Sequence, residues 1–279
     1  MMAHEATSGD RVIETVPGDV ALHLEVEGAG ATPLVLMHGF GGSARNWRPQ
    51  LRALRDAHRV AAFDVRGHAR SAAPGEPAAY RPACFVGDVA RVLDHLGAAR
   101  GVVGGLSMGA GVAARFAIAH PGRARALVLA ALPPGADEGT RQRSWALAFA
   151  DALERDGLEA AGARFAWGPD SGLDANAAKL VRLGFAEHAP HALAHTLREL
   201  LAAQPGAEAL GRVLAPLAIP TLLLVGDRDP VSRGPTERLA AALPGAELVV
   251  VAGAGHAVNL EARDATTAAL RAFLAKLGP

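Results

Sequence analysis

Gly105-Leu106-Ser107-Met108-Gly109 is the stretch on which the reading of this chain turns. It fits the pattern G-x-S-x-G, in which a serine sits on a sharp turn between a strand and a helix. Glycine and alanine abound here, so the pentapeptide alone says little and its flanks carry the weight. Before it, Arg100-Gly101-Val102-Val103-Gly104 is a short apolar run of the kind that forms a buried strand. After it, Ala110 to His120 follows a helical pattern that Pro121 and Gly122 end. A strand reversing directly into a helix brings the residues two before and two after the serine together. Side chains there would collide, so glycine is expected at 105 and 109. The serine itself is expected in a strained backbone conformation, with its oxygen out of the sheet. Its place at a helix N-terminus, where free N–H groups carry about half a positive charge, favours a developing anion.

Outward from that turn, the chain alternates strands and helices. Residues 1–10 are polar and read as disordered. Residues 11–16 and 20–27 alternate apolar and polar around Pro17-Gly18-Asp19, the pattern of an antiparallel hairpin. Leu34-Val35-Leu36-Met37 is continuously apolar, as expected of a strand buried on both faces. It runs into the glycine-rich loop His38-Gly39-Phe40-Gly41-Gly42-Ser43. A helix over 46–55, a strand over 60–63, a polar loop over 64–71 and a helix from Pro82 to about Leu96 follow. The Ser107 strand and helix come next, then a strand over 126–130. Residues 133 to about 215 show helical patterns and no convincing strand. Trp145, Phe149 and Leu153 share one helical face, as do Leu193, Leu197 and Leu201, with Phe165, Trp167 and Phe185 between. The alternation resumes with a strand over 221–225, a helix over 235–243, a strand over 247–251 and a helix near 261–277. The expectation is an α/β fold: a mostly parallel, eight-stranded sheet with helices on both faces. The core would span 11–132 and 216–279, with 133–215 inserted as a helical cap.

A serine hydroxyl is a poor nucleophile at neutral pH and needs a base, which in turn needs an orienting acid. In such a sheet the partners follow in the order serine, acid, histidine, each on a loop after a strand. Asp229, in Gly226-Asp227-Arg228-Asp229-Pro230, and His256, in Gly253-Ala254-Gly255-His256, fit those places. Loops at the carboxyl ends of parallel strands converge on one rim, so distant residues meet there. Asp227 and, further off, Asp137 are the alternative acids. Attack on an ester carbonyl also needs donors for the oxyanion. The backbone N–H of Met108 is one, and the N–H of Phe40, on the loop after the first buried strand, is the other.

Over residues 11–277 the chain resembles α/β-hydrolase fold enzymes with a helical cap. The residues that carry the resemblance are His38-Gly39-Phe40-Gly41-Gly42, Asp64-x-Arg66-Gly67-His68-x-Arg70-Ser71, Gly105-x-Ser107-x-Gly109, Gly226-x-x-Asp229 and Gly255-His256. Ala69 departs from the glycine often found there. The resemblance implies triad roles for Ser107, Asp229 and His256 and an oxyanion hole of the Phe40 and Met108 amides. It implies a serine esterase or lactonase acting through an acyl-enzyme. It also allows enol-lactone hydrolysis, cofactor-free haloperoxidase or perhydrolase activity, carbon–carbon bond hydrolysis, or a slow ligand-sensing protein that keeps the triad. A serine at the elbow argues against haloalkane dehalogenases and epoxide hydrolases, whose relatives place aspartate there.

Several other residues read as structural. Trp47 is a packing residue. Trp145, Phe149, Trp167 and Phe185 are candidates to line an apolar acyl pocket. Asp88 sits on an amphipathic helix with no catalytic duty, and His68 and His120 are local loop or capping residues. His188, His191 and His195 are expected to face solvent, because Pro190 interrupts their helix and no acid or cysteine pattern makes a metal site.

Composition narrows the function classes. The 279 residues include 28 basic and 28 acidic ones and a net charge of zero, with no dense basic run, so nucleic acid and anionic membranes are not expected partners. Half the residues are hydrophobic, enough for a sizeable core. Cys84 is the single cysteine, so no intrachain disulfide forms, in keeping with a reducing compartment. No apolar run approaches the roughly 18–20 residues of a membrane span, and the first ten residues lack an apolar signal core. The expectation is a cytoplasmic monomer or homodimer, acting on a small molecule without metal or cofactor.

Overall fold

The computed structural model describes residues 11–135, 140–168, 171 and 173–278. Residues 1–10, read above as disordered, and Asp137 lie outside them. Eight strands form one sheet: β1 (Val12–Val16), β2 (Leu22–Glu27), β3 (Leu34–Met37), β4 (Val60–Phe63), β5 (Gly101–Leu106), β6 (Ala124–Ala130), β7 (Thr221–Gly226) and β8 (Glu247–Val251). Their order across the sheet is β1-β2-β4-β3-β5-β6-β7-β8. β1 pairs antiparallel with β2, and β2 with β4; every later pairing is parallel. The expected hairpin, with Val16 opposite Leu22, thus forms one end of the sheet.

The parallel strands are apolar throughout because both of their faces are covered. Side chains along a strand alternate between faces. On β3, Leu34 and Leu36 join one core and Val35 and Met37 the other. The first core packs Trp47, Leu51 and Leu54 of the 44–54 helical segment against Leu270, Phe273 and Leu274 of the last helix. The second packs Phe85 and Val89 of α2 (Pro82–His95) with Val112 and Phe116 of α3 (Met108–Ala119). Each such side chain taken fully out of water contributes about 1.5–3 kcal/mol. The first of these helical segments is a 3-10 turn, Ala44–Trp47, that continues as α1 (Arg48–Leu54). Trp47 is the packing residue expected, and its indole N–H is satisfied by the Met37 carbonyl at 2.9 Å.

Between β6 and β7 the described residues are helical: α4 (Thr140–Phe165, broken at Gly157), α5 (Ala175–Phe185), α6 (Pro190–His195), a wider turn Thr196–Leu201, and α7 (Ala207–Leu214). After β7 come α8 (Arg233–Ala242), α9 (Val258–Glu261) and α10 (Arg263–Leu277). The final helix expected near 261–277 is α10, and the short α9 is set off from it at Ala262, whose backbone (φ −127°, ψ 60°) is not helical.

The loop over 64–71 is a buried polar brace. Asp64 accepts the Ala44 N–H at 2.6 Å and the Arg70 N–H at 3.1 Å, so it ties the turn after β3 to the turn after β4. Ala69 lies in the left-handed region, φ 46°, which explains why glycine suits that place. Arg66 and Asp88 form a buried two-bond pair at 2.7 and 2.6 Å. Without Asp88 the buried Arg66 keeps only the exposed Asp19, at 3.2 Å, as an acidic partner among the described residues, at a cost of about 3 kcal/mol. Asp88→Ala is expected to lower unfolding free energy by about that amount in urea titrations, and an unmoved midpoint would contradict the structural role.

Candidate active site

β5 runs straight into Ser107. That residue has φ 52° and ψ −111°, and α3 starts at the next residue. The strain is over-determined by its neighbours: the Ser107 N–H donates to Ala130 O at 2.8 Å, and its carbonyl accepts the Gly111 N–H at 3.0 Å. The two glycines do what the pattern requires. A Cβ on Gly105 would stand 2.6 Å from Met37 O and 2.7 Å from the Gly109 carbonyl carbon; one on Gly109 would stand 2.6 Å from Met37 O. No side chain fits at either place.

β7 ends at Gly226, where a Cβ would stand 2.2 Å from Ala254 O, so the loops after β7 and β8 pack backbone to backbone. Asp229, fully buried, accepts the N–H groups of Val231 (2.9 Å) and Ser232 (3.0 Å) on Oδ1. Its Oδ2 lies 2.8 Å from Nδ1 of His256. Asp227, the nearer alternative acid, is exposed and accepts the Gly253 N–H at 2.8 Å, which ties the two loops together. Asp137, the other alternative, is outside the described residues.

Behind His256, the carboxylate of Glu261 accepts the N–H groups of Gly255 (2.8 Å) and Ala257 (2.9 Å), which fixes the backbone on both sides of the imidazole. Further along, Asn259 bonds through its carbonyl to Gln50 and through its amide to Asn46 O, both at 3.0 Å. Asn46 and Gln50 follow β3. The chain past β8 therefore returns across the carboxyl ends of the strands toward β3, and His256 lies on that crossing. The sequence reading missed Glu261 and Asn259, since neither belongs to a local pattern.

An ionised carboxylate only accepts, so Nδ1 of His256 carries the proton and Nε2 keeps its lone pair. Burial pushes the His256 pKa down, but the hydrogen bond and charge of Asp229, with the charge of Glu261, more than offset it, and the net shift is upward. For Asp229 burial pushes upward, and the hydrogen bond and charge of His256 with the two N–H donors outweigh it, to about 2. The hydroxyl of Ser232 lies 3.3 Å from the same Nδ1. Ser232 opens α8 yet makes no side-chain cap to it. Of the three residues named from sequence, a hydrogen bond joins Asp229 to His256; among the described residues the Ser107 hydroxyl makes none. Catalytic hydrogen bonds are commonly long before substrate binds and tighten afterwards.

Met108 heads α3, which leaves its N–H without a helical acceptor. The Phe40 N–H shares a planar peptide with the Gly39 carbonyl. That carbonyl is held by His38 Nδ1 at 2.8 Å and the Gly42 N–H at 3.0 Å. The Val65 N–H donates to His38 Nε2 at 3.1 Å, so the His38 proton must be on Nδ1. Burial lowers the pKa of His38 to about 4, which keeps the ring neutral.

Over this turn lies an aromatic cluster from the helical insertion. Phe40 meets Phe149 at 5.5 Å and Phe185 at 6.0 Å between ring centres; Phe149 stacks on Phe165 at 5.0 Å. Trp145 packs edge-on against Phe149, and Trp167 against Phe185. Phe149 and Phe185 are fully buried, whereas Trp145 and Trp167 are partly exposed.

The expectation that His188 faces solvent is corrected: it is buried, with one ring nitrogen 3.1 Å from Gly42 O and the other 3.2 Å from Phe185 O. Its burial comes from packing against the turn after β3, which no local pattern reveals. His68 lies in the 64–71 loop, as read from the sequence. It is fully buried against His38, Phe40 and His188, because the 64–71 loop folds under the same turn. His191 is exposed as expected, and His195 is half-buried against Tyr80. His120 packs on Phe116. Among the described residues no group of three or more His, Cys, Asp or Glu is arranged to hold a metal ion, and no helix is long and apolar enough to cross a membrane.

A profile of the Alpha/beta hydrolase family matches residues 34–270. Among solved structures, the chain is similar to a thermophilic esterase from Thermogutta terrifontis, with a TM-score of 0.83 and 26% identity over 97% of this chain and 100% of the other. It is similar to the enol-lactonase from Burkholderia xenovorans LB400, with a TM-score of 0.79 and 26% identity over 92% and 97%. It is also 41% identical over 121 residues to epoxide hydrolase B from Mycobacterium tuberculosis, covering 40% of this chain and 34% of that protein. The chain spans less than two thirds of the length of such curated relatives.

Proposed function

This chain belongs to the alpha/beta hydrolase family, and from that premise we propose that it is a serine hydrolase cleaving carboxylic esters or lactones through an acyl-enzyme. The observation that carries the reading is the hydrogen bond at 2.8 Å between buried Asp229 and part-exposed His256, on the same rim of the sheet as a strained Ser107. In this reading His256 Nε2 takes the Ser107 proton as Oγ attacks the ester carbonyl. Negative charge moves to the carbonyl oxygen, beside the Met108 and Phe40 amides. Collapse expels the alcohol, which leaves with the proton from His256. Water then attacks the acyl-serine with His256 again as base, and the acid is released. Each oxyanion donor is worth about 3–4 kcal/mol of transition-state stabilisation.

The helical insertion, residues 133–215, acts in this reading as a cap over the core formed by 11–132 and 216–279. Its cluster around Phe149 and Phe185 would receive a small or medium apolar acyl group, with Trp145 and Trp167 nearer the surface. The lactone arm has its own support in the likeness to an enol-lactonase. The relatives called epoxide hydrolases share part of the chain, but an elbow serine, unlike aspartate, has no carboxylate to open an epoxide. A panel of p-nitrophenyl esters of graded chain length, enol-lactones and an epoxide tests this. Turnover of the short and medium esters or of lactones is expected; epoxide opening without ester turnover would overturn it.

The reaction also has an expected pH signature. A base must be neutral to act, and the pKa of His256 is raised above 6.5. The plot of kcat/KM, which reports the free enzyme, is therefore expected to rise with pH through a midpoint above 6.5. Asp229 stays ionised down to about pH 2, so it adds no limb in the working range. A midpoint below 6 would contradict the coupling of the pair.

A further inference from the structure

The helical insertion reaches the turn that carries the Phe40 amide through Phe185–His188. The Phe185 ring occupies the place of a side chain on Gly41: a Cβ there would stand 2.4 Å from it. Gly41 has φ 69°, so glycine is needed for backbone and packing alike. Glu187 pairs with Arg45 at the far end of the turn. Between these contacts, buried His188 brings Nε2 to 3.1 Å from Gly42 O and Nδ1 to 3.2 Å from Phe185 O. Burial lowers its pKa below the ordinary value despite its carbonyl partners, which favours the neutral ring. A neutral imidazole donates through one nitrogen. The Nε2 contact with Gly42 O is the shorter of the two, and the ring proton is assigned to Nε2, directed at Gly42.

From Gly42 the hydrogen bonds continue to the site. The Gly42 N–H donates to Gly39 O at 3.0 Å. Gly39 O and the Phe40 N–H lie on opposite edges of one rigid peptide. We propose that His188 is a positioning residue for the oxyanion donor: it holds Gly42, Gly42 holds the Gly39–Phe40 peptide, and that peptide presents its N–H to the developing negative charge. The cap thereby sets the geometry of the hole beneath it. This inference rests on the ester-hydrolase reading above. A leucine at 188 would fill the space beside Phe185 and His68; what histidine adds is the donor.

The test compares full-length wild type with His188→Leu, His188→Ala, His188→Gln and, as a control, His191→Ala, on the best p-nitrophenyl ester, with melting temperatures recorded for each. An oxyanion donor acts in the transition state, so kcat falls while KM holds. The leucine and alanine variants are expected to lose about ten- to a hundredfold in kcat, with KM within about twofold. His188→Gln, whose amide can donate to Gly42, is expected to recover most of the rate, and His191→Ala to match wild type. Folded leucine and alanine variants with wild-type kcat would overturn the proposal. So would a kcat loss that glutamine does not recover in a folded protein, or a loss shared by His191→Ala. If leucine and alanine variants fail to fold while glutamine folds with full kcat, His188 serves the fold rather than the hole, and the proposal is overturned. Wild type that turns over no ester and takes no fluorophosphonate label is a different failure, that of the underlying reading.

Discussion

Ser107→Ala is expected to lower kcat for ester hydrolysis by about 10⁶-fold while the protein keeps its fold. The size of the effect follows from the division of labour. Without the hydroxyl no acyl-enzyme forms, and only the oxyanion amides and substrate binding still act, which leaves a residual rate about 10³–10⁴-fold above water. The fold should survive because the Ser107 side chain is half-buried and its hydroxyl holds no partner among the described residues. What defines the turn is backbone: the Ser107 N–H on Ala130 O and the close approach of Gly105, Gly109 and Met37. Alanine meets the same φ of 52° as serine, so it adds little new strain. Turnover kinetics with circular dichroism on the same preparation check this. A folded alanine variant with more than a few per cent of wild-type activity would remove Ser107 from the chemistry.

Asp229→Asn is expected to lower kcat by about 10⁴-fold, again in a folded protein. The reason lies in how the carboxylate is held. Its Oδ1 accepts two backbone N–H groups, from Val231 and Ser232. In asparagine the amide oxygen must keep that place, so the NH₂ group turns to Nδ1 of His256. A donor now faces Nδ1, and the imidazole proton moves to Nε2. The nitrogen that should accept the serine proton is then blocked. Asp227→Asn is the comparison: that carboxylate is exposed and, among the described residues, bonds to the Gly253 N–H across the loop, so its rate should stay within about threefold of wild type. Equal losses in the two variants would mean that the acid has been misassigned.

The parts of the fold legible in sequence were those whose cause is local. Leu34–Met37 and Val60–Phe63 are apolar at every position because both faces are covered, and their bounds fall where the runs end. Gly105 and Gly109 announce the elbow because they must clear each other, four residues apart. Asp229 and His256 were legible through strand ends and glycine loops. The fold places the two side chains 2.8 Å apart.

Where the cause is distant, sequence was silent or misleading. Gly41 reads as one of the glycines of a loop after a buried strand, and the side chain it makes room for is Phe185. His188 reads as a surface histidine beside Pro190, but its partner is Gly42, 146 residues away. His38 reads as one more residue of a glycine-rich loop, yet its tautomer is set by the Val65 N–H, 27 residues on. Glu261 begins a helix pattern and gives no sign of bracketing His256. Hydrogen bonds to backbone groups leave no composition or period behind, which is why supporting residues stayed hidden while the elbow did not.

In this reading Ser107 is a nucleophile activated by His256. The direct measurement is fluorophosphonate labelling of wild type and His256→Ala, with the adduct located by peptide mass spectrometry. One adduct is expected, on Ser107, forming rapidly in wild type and at least about a hundredfold more slowly in His256→Ala. An adduct on another residue, or labelling of Ser107 at the same rate with and without the imidazole, would contradict it.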